Sequence, residues 1–192
     1  MATRRIREYL DGNKVPYTVI NHTCAYTAEE VAQASRIPAR KMAKVVVVQI
    51  DDELAFVAVP ANRVVDLARL REETGAANVQ IAEEELLRNR FSDCQVGTVP
   101  PFGNLFGIET FLDRQLTVST QIAFSAGTHR DVFVLRFADY NRIVHPRIVD
   151  VAAESDELAP VISQDADELP ETEEVAQAQC DCPILHHHWG AD

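Results

Sequence analysis

The chain lacks most of the signatures that would point to a reaction outright. No run approaches the roughly 18 apolar residues that span a bilayer, so no membrane segment is expected. There is no GxGxxG or GxxxxGK[ST] loop, which disfavours a nucleotide-binding Rossmann or P-loop fold. No Ser-His-Asp or Cys-His arrangement can be assembled, no internal repeat is visible, and the body holds no His/Cys/carboxylate cluster at metal-ligand spacing. Cysteine is scarce. The four, at positions 24, 94, 180 and 182 of a 192-residue chain, do not make a disulfide framework, and a reducing compartment fits them. Cys24 and Cys94 read as small packing residues or ordinary loop thiols, and nothing local would lower the pKa of Cys94. Met1 to Arg7 has charges with no apolar core behind them, so a secretory signal is not expected and a cytoplasmic location is.

Charge is present but unevenly placed. The formal net charge is -12. Eleven of the 30 acidic residues follow Asp150, where there is no Lys or Arg, which leaves 19 acids against 18 bases in residues 1–150. The body is therefore almost neutral, and any nucleic-acid binding should be local and salt-sensitive. We expect two parts: residues 1–151 as a folded domain, and residues 152–192 as an acidic, disordered tail in which prolines, acids and small residues replace patterned apolar ones. That tail carries Cys180, Cys182, His186, His187 and His188. These are soft and imidazole ligands, yet their spacing is not that of a structural zinc site.

The patterned part alternates helices and strands without a repeated βαβ unit. Helices are expected at Thr3–Leu10, from Thr27 to before Pro38, at Asn62–Glu73 and Glu83–Arg88, and from Ala138. Thr27 and Glu30 form a capping box. Strands are expected at Tyr17–Asn21, Val45–Ile50, Leu54–Val59, Val79–Ile81, Leu105–Leu112, Gln121–Ser125 and Asp131–Phe137, with the second and third as an antiparallel hairpin. The β-branched run Val45–Val48 implies a strand covered on both faces. The class is α+β.

Three segments could carry chemistry. Lys44 opens the most apolar strand. By position it is a strand-end lysine with its stem on apolar surface; alternatively it is a fixed cation that grips a phosphate or polarises a carbonyl. In Gly97-Thr98-Val99-Pro100-Pro101-Phe102-Gly103, two glycines bracket a double proline. That makes a stiff backbone that has lost two N–H donors and can approach a ligand closely. It serves equally as a rigid connector. Gly127-Thr128-His129 is either a hairpin turn or a ligand wall, and His129 either a proton shuttle or an ordinary histidine. His22 either orders the loop before the capped helix or faces a ligand.

Taken in order, these residues resemble the YbaK/ProX family of trans-editing aminoacyl-tRNA deacylases. Gly97 through Pro101 is similar to the family's GxxxP loop, Lys44 to its strand-opening lysine, Gly127-Thr128 to its late Gly-Ser/Thr turn, and His22, Tyr26, Thr27 and Glu30 to its His-x-x-x-Tyr-Thr-x-x-Glu segment. The resemblance covers Ile6 to Val151. It implies a mixed, partly rolled, barrel-like sheet surrounded by helices, and hydrolysis of the ester of a mischarged tRNA without a metal or other cofactor. It also implies that Lys44 binds substrate and Gly97 orients ester and water. His22, Thr98, Pro100, Pro101, Phe102, Gly103, Gly127, Thr128 and His129 would then line the substrate pocket. The implied partners are the 3′ end of a mischarged tRNA and an aminoacyl-tRNA synthetase, with proline tRNA carrying alanine or cysteine the family-weighted substrate. Two other readings compete: a non-catalytic tRNA-, nucleotide- or synthetase-binding module of the same fold, and metal handling by the tail.

Overall fold

The computed structural model describes residues 2–154; the tail's Cys/His segment lies outside the described residues. In chain order the helices are α1 (Ala2–Gly12), α2 (Ala28–Ala34), α3 (Leu67–Thr74), α4 (Glu84–Arg90), α5 (Arg114–Thr117) and α6 (Phe137–Val144). The strands are β1 (Tyr17–Asn21), β2 (Met42–Ile50), β3 (Glu53–Pro60), β4 (Val64–Val65), β5 (Val79–Ile81), β6 (Glu109–Asp113), β7 (Gln121–Ser125), β8 (Asp131–Arg136), β9 (Arg147–Val149) and β10 (Ala152–Ala153).

Strands run in the order β1-β8-β7-β2-β3-β6-β9, with β5 also on β2. The sheet is mixed. β1–β8, β7–β8, β2–β3 and β2–β5 are antiparallel, whereas β2–β7, β3–β6 and β6–β9 are parallel. This is the expected α+β class with a large mixed sheet. Among the described residues no pairing joins β1 to β9, so the roll does not close.

Both faces of the sheet are covered, as the valine run requires. Alternation sends Ala43 and Val45 into one cluster with Phe124, Leu112 and the α1 residues Ile6 and Leu10. Val46, Val48 and Ile50 enter another with Val57, Val59 and Phe111. α1 follows from the spacing of Ala2, Ile6 and Leu10, all buried. The capping box of α2 forms: Thr27 Oγ1 accepts from the Glu30 amide at 3.1 Å, and Glu30 Oε2 accepts from the Thr27 and Tyr26 amides at 3.1 and 3.0 Å. Those backbone donors hold the Glu30 carboxyl below its ordinary range.

Three expectations change. The helix placed from Asn62 begins only at Leu67, because Asp66 caps it by accepting from the Ala68 and Arg69 amides, both at 3.0 Å. Val64 and Val65 pair instead with Ala153 and Ala152. The strand placed at Leu105–Leu112 shrinks to Glu109–Asp113, since Gly103–Leu105 is a 3-10 turn and Gly107 has φ +68°. The folded body also runs past Val151: Ala152 and Ala153 are buried strand residues rather than the start of the tail. A buried carboxylate explains this extension. Asp113 Oδ2 accepts from the Val151 and Ala152 amides at 2.9 and 2.8 Å, and its Oδ1 from the Gln115 amide at 2.8 Å.

Candidate functional site

The outer edge of β2 is shared by two strands that do not meet. β7 pairs with Met42 and Ala43, and β5 with Val48 to Ile50. Between them, among the described residues, Lys44 to Val46 have a sheet partner only on the β3 side. Side-chain alternation places Lys44 between Met42, which packs with Val31 and Ala32 of α2, and Val46, which packs with Val57 and Val59. A gap in the sheet thus opens beside a lysine held by a central strand.

The Gly97 segment lies across that gap. The carbonyl of Gly127 accepts from the Gln95 amide at 3.1 Å, and the Gly127 amide donates to the Thr98 carbonyl at 2.9 Å. Gln95 Oε1 also accepts from the His129 amide at 2.7 Å. Thr98 is buried, its hydroxyl donating to the Gln95 carbonyl at 2.8 Å. Gly97 has φ +79° and is exposed, and no atom stands within 4 Å of where a Cβ would be. Glycine is favoured there by backbone conformation while the space above it stays open.

The second half of the same stretch goes inward instead. Pro100, Pro101, Phe102 and Gly103 are buried and do not line the hollow at Lys44. The Tyr140 hydroxyl donates to the Pro101 carbonyl at 2.7 Å, and burial pushes that phenol well above its ordinary pKa. Phe102 sits edge-on to Tyr9, Phe124 and Tyr140. At Gly103 a Cβ would stand 2.2 Å from the Ile108 carbonyl oxygen and 2.4 Å from Thr110 Oγ1. That glycine is required by packing. The proline bend is a rigid footing for the exposed residues before it.

The turn between β7 and β8 divides in the same way. Gly127, at φ +90°, is buried against α1, where a Cβ would come 2.6 Å from the Ala2 Cβ. Thr128 Oγ1 accepts from the Asp131 amide at 3.2 Å and donates to Asp131 Oδ2 at 3.0 Å, which shapes the turn. His129 lines the hollow, its ring 5.2 Å from the ring of Tyr26, with Nδ1 buried and unpaired. His22 does not line it. The His22 amide donates to the Arg130 carbonyl at 2.9 Å, and its Nδ1 lies 2.6 Å from the Thr23 carbonyl, so this histidine ties the 22–25 loop to the turn.

The three distant segments therefore meet: Lys44, Gly97-Thr98-Val99 and His129 wall one hollow, together with Tyr26, Ser125 and Val45. The hollow is narrow: only about 10 Å³ of it can hold the centre of a water molecule. Among the described residues that line it, Lys44 is the one Lys, Arg, Asp or Glu. Desolvation lowers the pKa of its ammonium, and the charge of Glu29 partly offsets this. Cys94 offers no nucleophile, because burial and then the charge of Asp93 push its thiol up to about 12. No group of three His, Cys, Asp or Glu among the described residues could hold a metal ion.

The sequence matches the aminoacyl-tRNA editing domain over residues 22–143, a span that contains Lys44, the Gly97 loop and His129. The chain belongs to the aminoacyl-tRNA editing domain family. Solved structures share the fold of this editing domain. One is a candidate trans-editing enzyme for prolyl-tRNA synthetase, with TM-score 0.69 and 20% identity over 79% of this chain and 97% of that one. Another is a scaffold protein from computational epitope grafting, with TM-score 0.69 and 19% identity over 79% and 97%. A third, a candidate signal transduction protein from Marinobacter aquaeolei VT8, matches with TM-score 0.62 and 14% identity over 80% of this chain and 31% of its own. No curated protein matches the sequence.

Gln95, Tyr26 and Ser125 of the editing domain were not singled out from sequence as site residues. Gln95 joins a turn more than 30 positions away, which no local pattern reveals. Tyr26 is 60% exposed, a large aromatic left at the mouth of the hollow. Ser125 reaches the hollow only because β7 ends beside β2. No helix among the described residues is long and apolar enough to cross a membrane.

Proposed function

We propose that this editing domain is an aminoacyl-tRNA deacylase, hydrolysing in trans the ester of a mischarged tRNA. The observation that carries it is a single half-desolvated lysine at a hollow of about one water's width, walled by the exposed part of a glycine loop. An aminoacyl ester is already activated, so the reaction needs little more than position and a charge facing the developing oxyanion. Lys44 supplies that charge. Gly97 holds the ester against the opening with its main chain, Thr98 fixes that loop through its amide and carbonyl bonds to Gln95 and Gly127, His129 closes the far wall, and a water at the gap attacks the carbonyl. The 2′-hydroxyl of the terminal ribose assists as an internal proton carrier. Pro100, Pro101, Phe102, Gly103, Gly127, Thr128 and His22 act one step removed, by fixing the two loops.

The narrowness of the hollow supports a role as a second sieve. One methylene separates amino acids by only about 1–3 kcal/mol in an apolar pocket, whereas Val45, Val31 and Met42 leave little room for anything but a small side chain. A small amino acid fits the hollow; its identity as alanine or cysteine on proline tRNA, a cytoplasmic location and a synthetase partner rest on the family resemblance and on the likeness to the prolyl trans-editing structure. Residues 1–154 would suffice for the chemistry. A panel of tRNAs carrying labelled alanine, cysteine, serine and proline tests the reading: fast release of a small amino acid with the cognate proline spared is the expected pattern. Retention of charged tRNA without release would favour a non-catalytic binding module of the same fold.

A further inference from the structure

The Lys44 hollow cannot enclose the whole end of a charged tRNA. Only about 10 Å³ of it can hold a water centre, whereas sites enclosing small ligands run upward from about 300 Å³. A second hollow lies on the other side of the same loop, and Gly97 and Val99 line both. It holds about 250 Å³ for water centres, between Leu87 and Phe91 on one side and Val96 on the other. Val96 is 61% exposed, an apolar side chain left at its lip. Gln95 lines it too, and because its Oε1 already accepts from His129, the amide nitrogen is the end left to donate. The hollow at Arg90 and Arg147 shares no residue with the Lys44 hollow.

We propose that the Leu87–Val96 hollow holds the base of the terminal adenosine while its ribose crosses Gly97 and delivers the ester to Lys44. This deepens the deacylase reading and rests on it. In an aminoacyl-tRNA the amino acid is esterified to the ribose of that adenosine, so base and ester must sit in adjoining places one sugar apart. Two hollows sharing Gly97 and Val99 meet that condition. A heterocycle has apolar faces and a polar edge. Leu87, Val96 and Val99 suit the faces, and the Gln95 amide suits a ring nitrogen. Gly97 is the crossing, since nothing stands within 4 Å of its missing Cβ. Through Gln95 and the His129 amide, the base site also braces the wall of the reaction hollow.

The test uses the full chain, adenosine and cytidine as probes, and the methyl resonances of Leu87, Val96 and Val99. Adenosine should shift these methyls saturably and cytidine should bind several-fold more weakly. The exposed Val96 tolerates Val96→Glu without loss of fold; this variant should weaken adenosine binding and raise KM for charged tRNA, each by about tenfold. Val96→Gln adds no charge but also removes the apolar lip, so it should raise KM in the same direction; a rise confined to Val96→Glu would report the added charge instead of a lost base contact. Shifts confined to other methyls, equal binding of cytidine, or a KM within twofold of wild type in both variants would overturn the base site. If wild type hydrolyses no charged tRNA yet adenosine moves these methyls, the deacylase reading falls and the base site stands.

Discussion

Replacing Lys44 by alanine removes the charged side chain from the hollow and leaves no other lining residue to take its place. The side chain is rooted on a central strand paired from Ala43 to Ile50 with β3, so its attachment point is fixed. At about 4 Å and an effective dielectric constant of about 20, a unit charge is worth about 4 kcal/mol. Removing one oxyanion donor from an enzyme site typically costs about 10²–10³ in kcat. The two estimates agree, and Lys44→Ala should lose about that factor in amino-acid release from charged tRNA. Lys44→Arg keeps the charge but puts a broad guanidinium where about 10 Å³ is open to a water centre, and it should recover less than about a tenth of the activity. Circular dichroism and a thermal melt exclude unfolding as the cause. Release by Lys44→Ala within threefold of wild type would refute the reasoning, as would full activity in Lys44→Arg.

Other substitutions separate site from scaffold. Lys44→Met should raise stability at neutral pH while removing activity, because the folded state holds a partly desolvated ammonium. The sign follows from a folded pKa below the ordinary 10.5: the cost is complete below the folded value and fades as pH rises toward 10.5. The advantage of Lys44→Met in denaturant titrations should therefore shrink in alkaline buffer. Gly97→Ala should cost only about 1–2 kcal/mol, from its left-handed backbone, but Gly103→Ala about 3 kcal/mol or more, from collision with the Ile108 carbonyl. Equal melting temperatures for the two would contradict that division. Asp113→Ala leaves the amides of Gln115, Val151 and Ala152 without their acceptor and should cost at least about 3 kcal/mol, at about 1–3 kcal/mol for each buried donor. Truncation after Glu154 should preserve deacylation and the melt, whereas truncation after Val151 removes β10 and should lower the melting temperature.

Local chemistry was legible in the sequence wherever one segment decided it. Thr27 and Glu30 form their box, Tyr17–Asn21 is a strand with those bounds, and the valine run is covered on both faces. Lys44, Gly97 and His129, set apart by the family resemblance, wall one hollow. What the sequence hid is direction. Gly97 and Gly103 look alike in a string of residues, yet one faces open space and the other lies against a carbonyl. Pro100 and Pro101 would stiffen an outward loop as well as the inward footing they form. The short strands at Val64 and Ala152 depend on each other, and Ala152 also on Asp113, 39 residues away, so neither carries a pattern of its own.

The central claim is that the shared hollow performs hydrolysis. Its most direct measurement is release of labelled alanine from alanyl-charged proline tRNA by substoichiometric wild-type protein, with an equal quantity of Lys44→Ala alongside. The account predicts many turnovers by wild type, with uncharged, intact tRNA as the other product, and a rate about 10²–10³ lower for the variant. Equal release by both proteins, or tight retention of the charged tRNA with its ester intact, would contradict it.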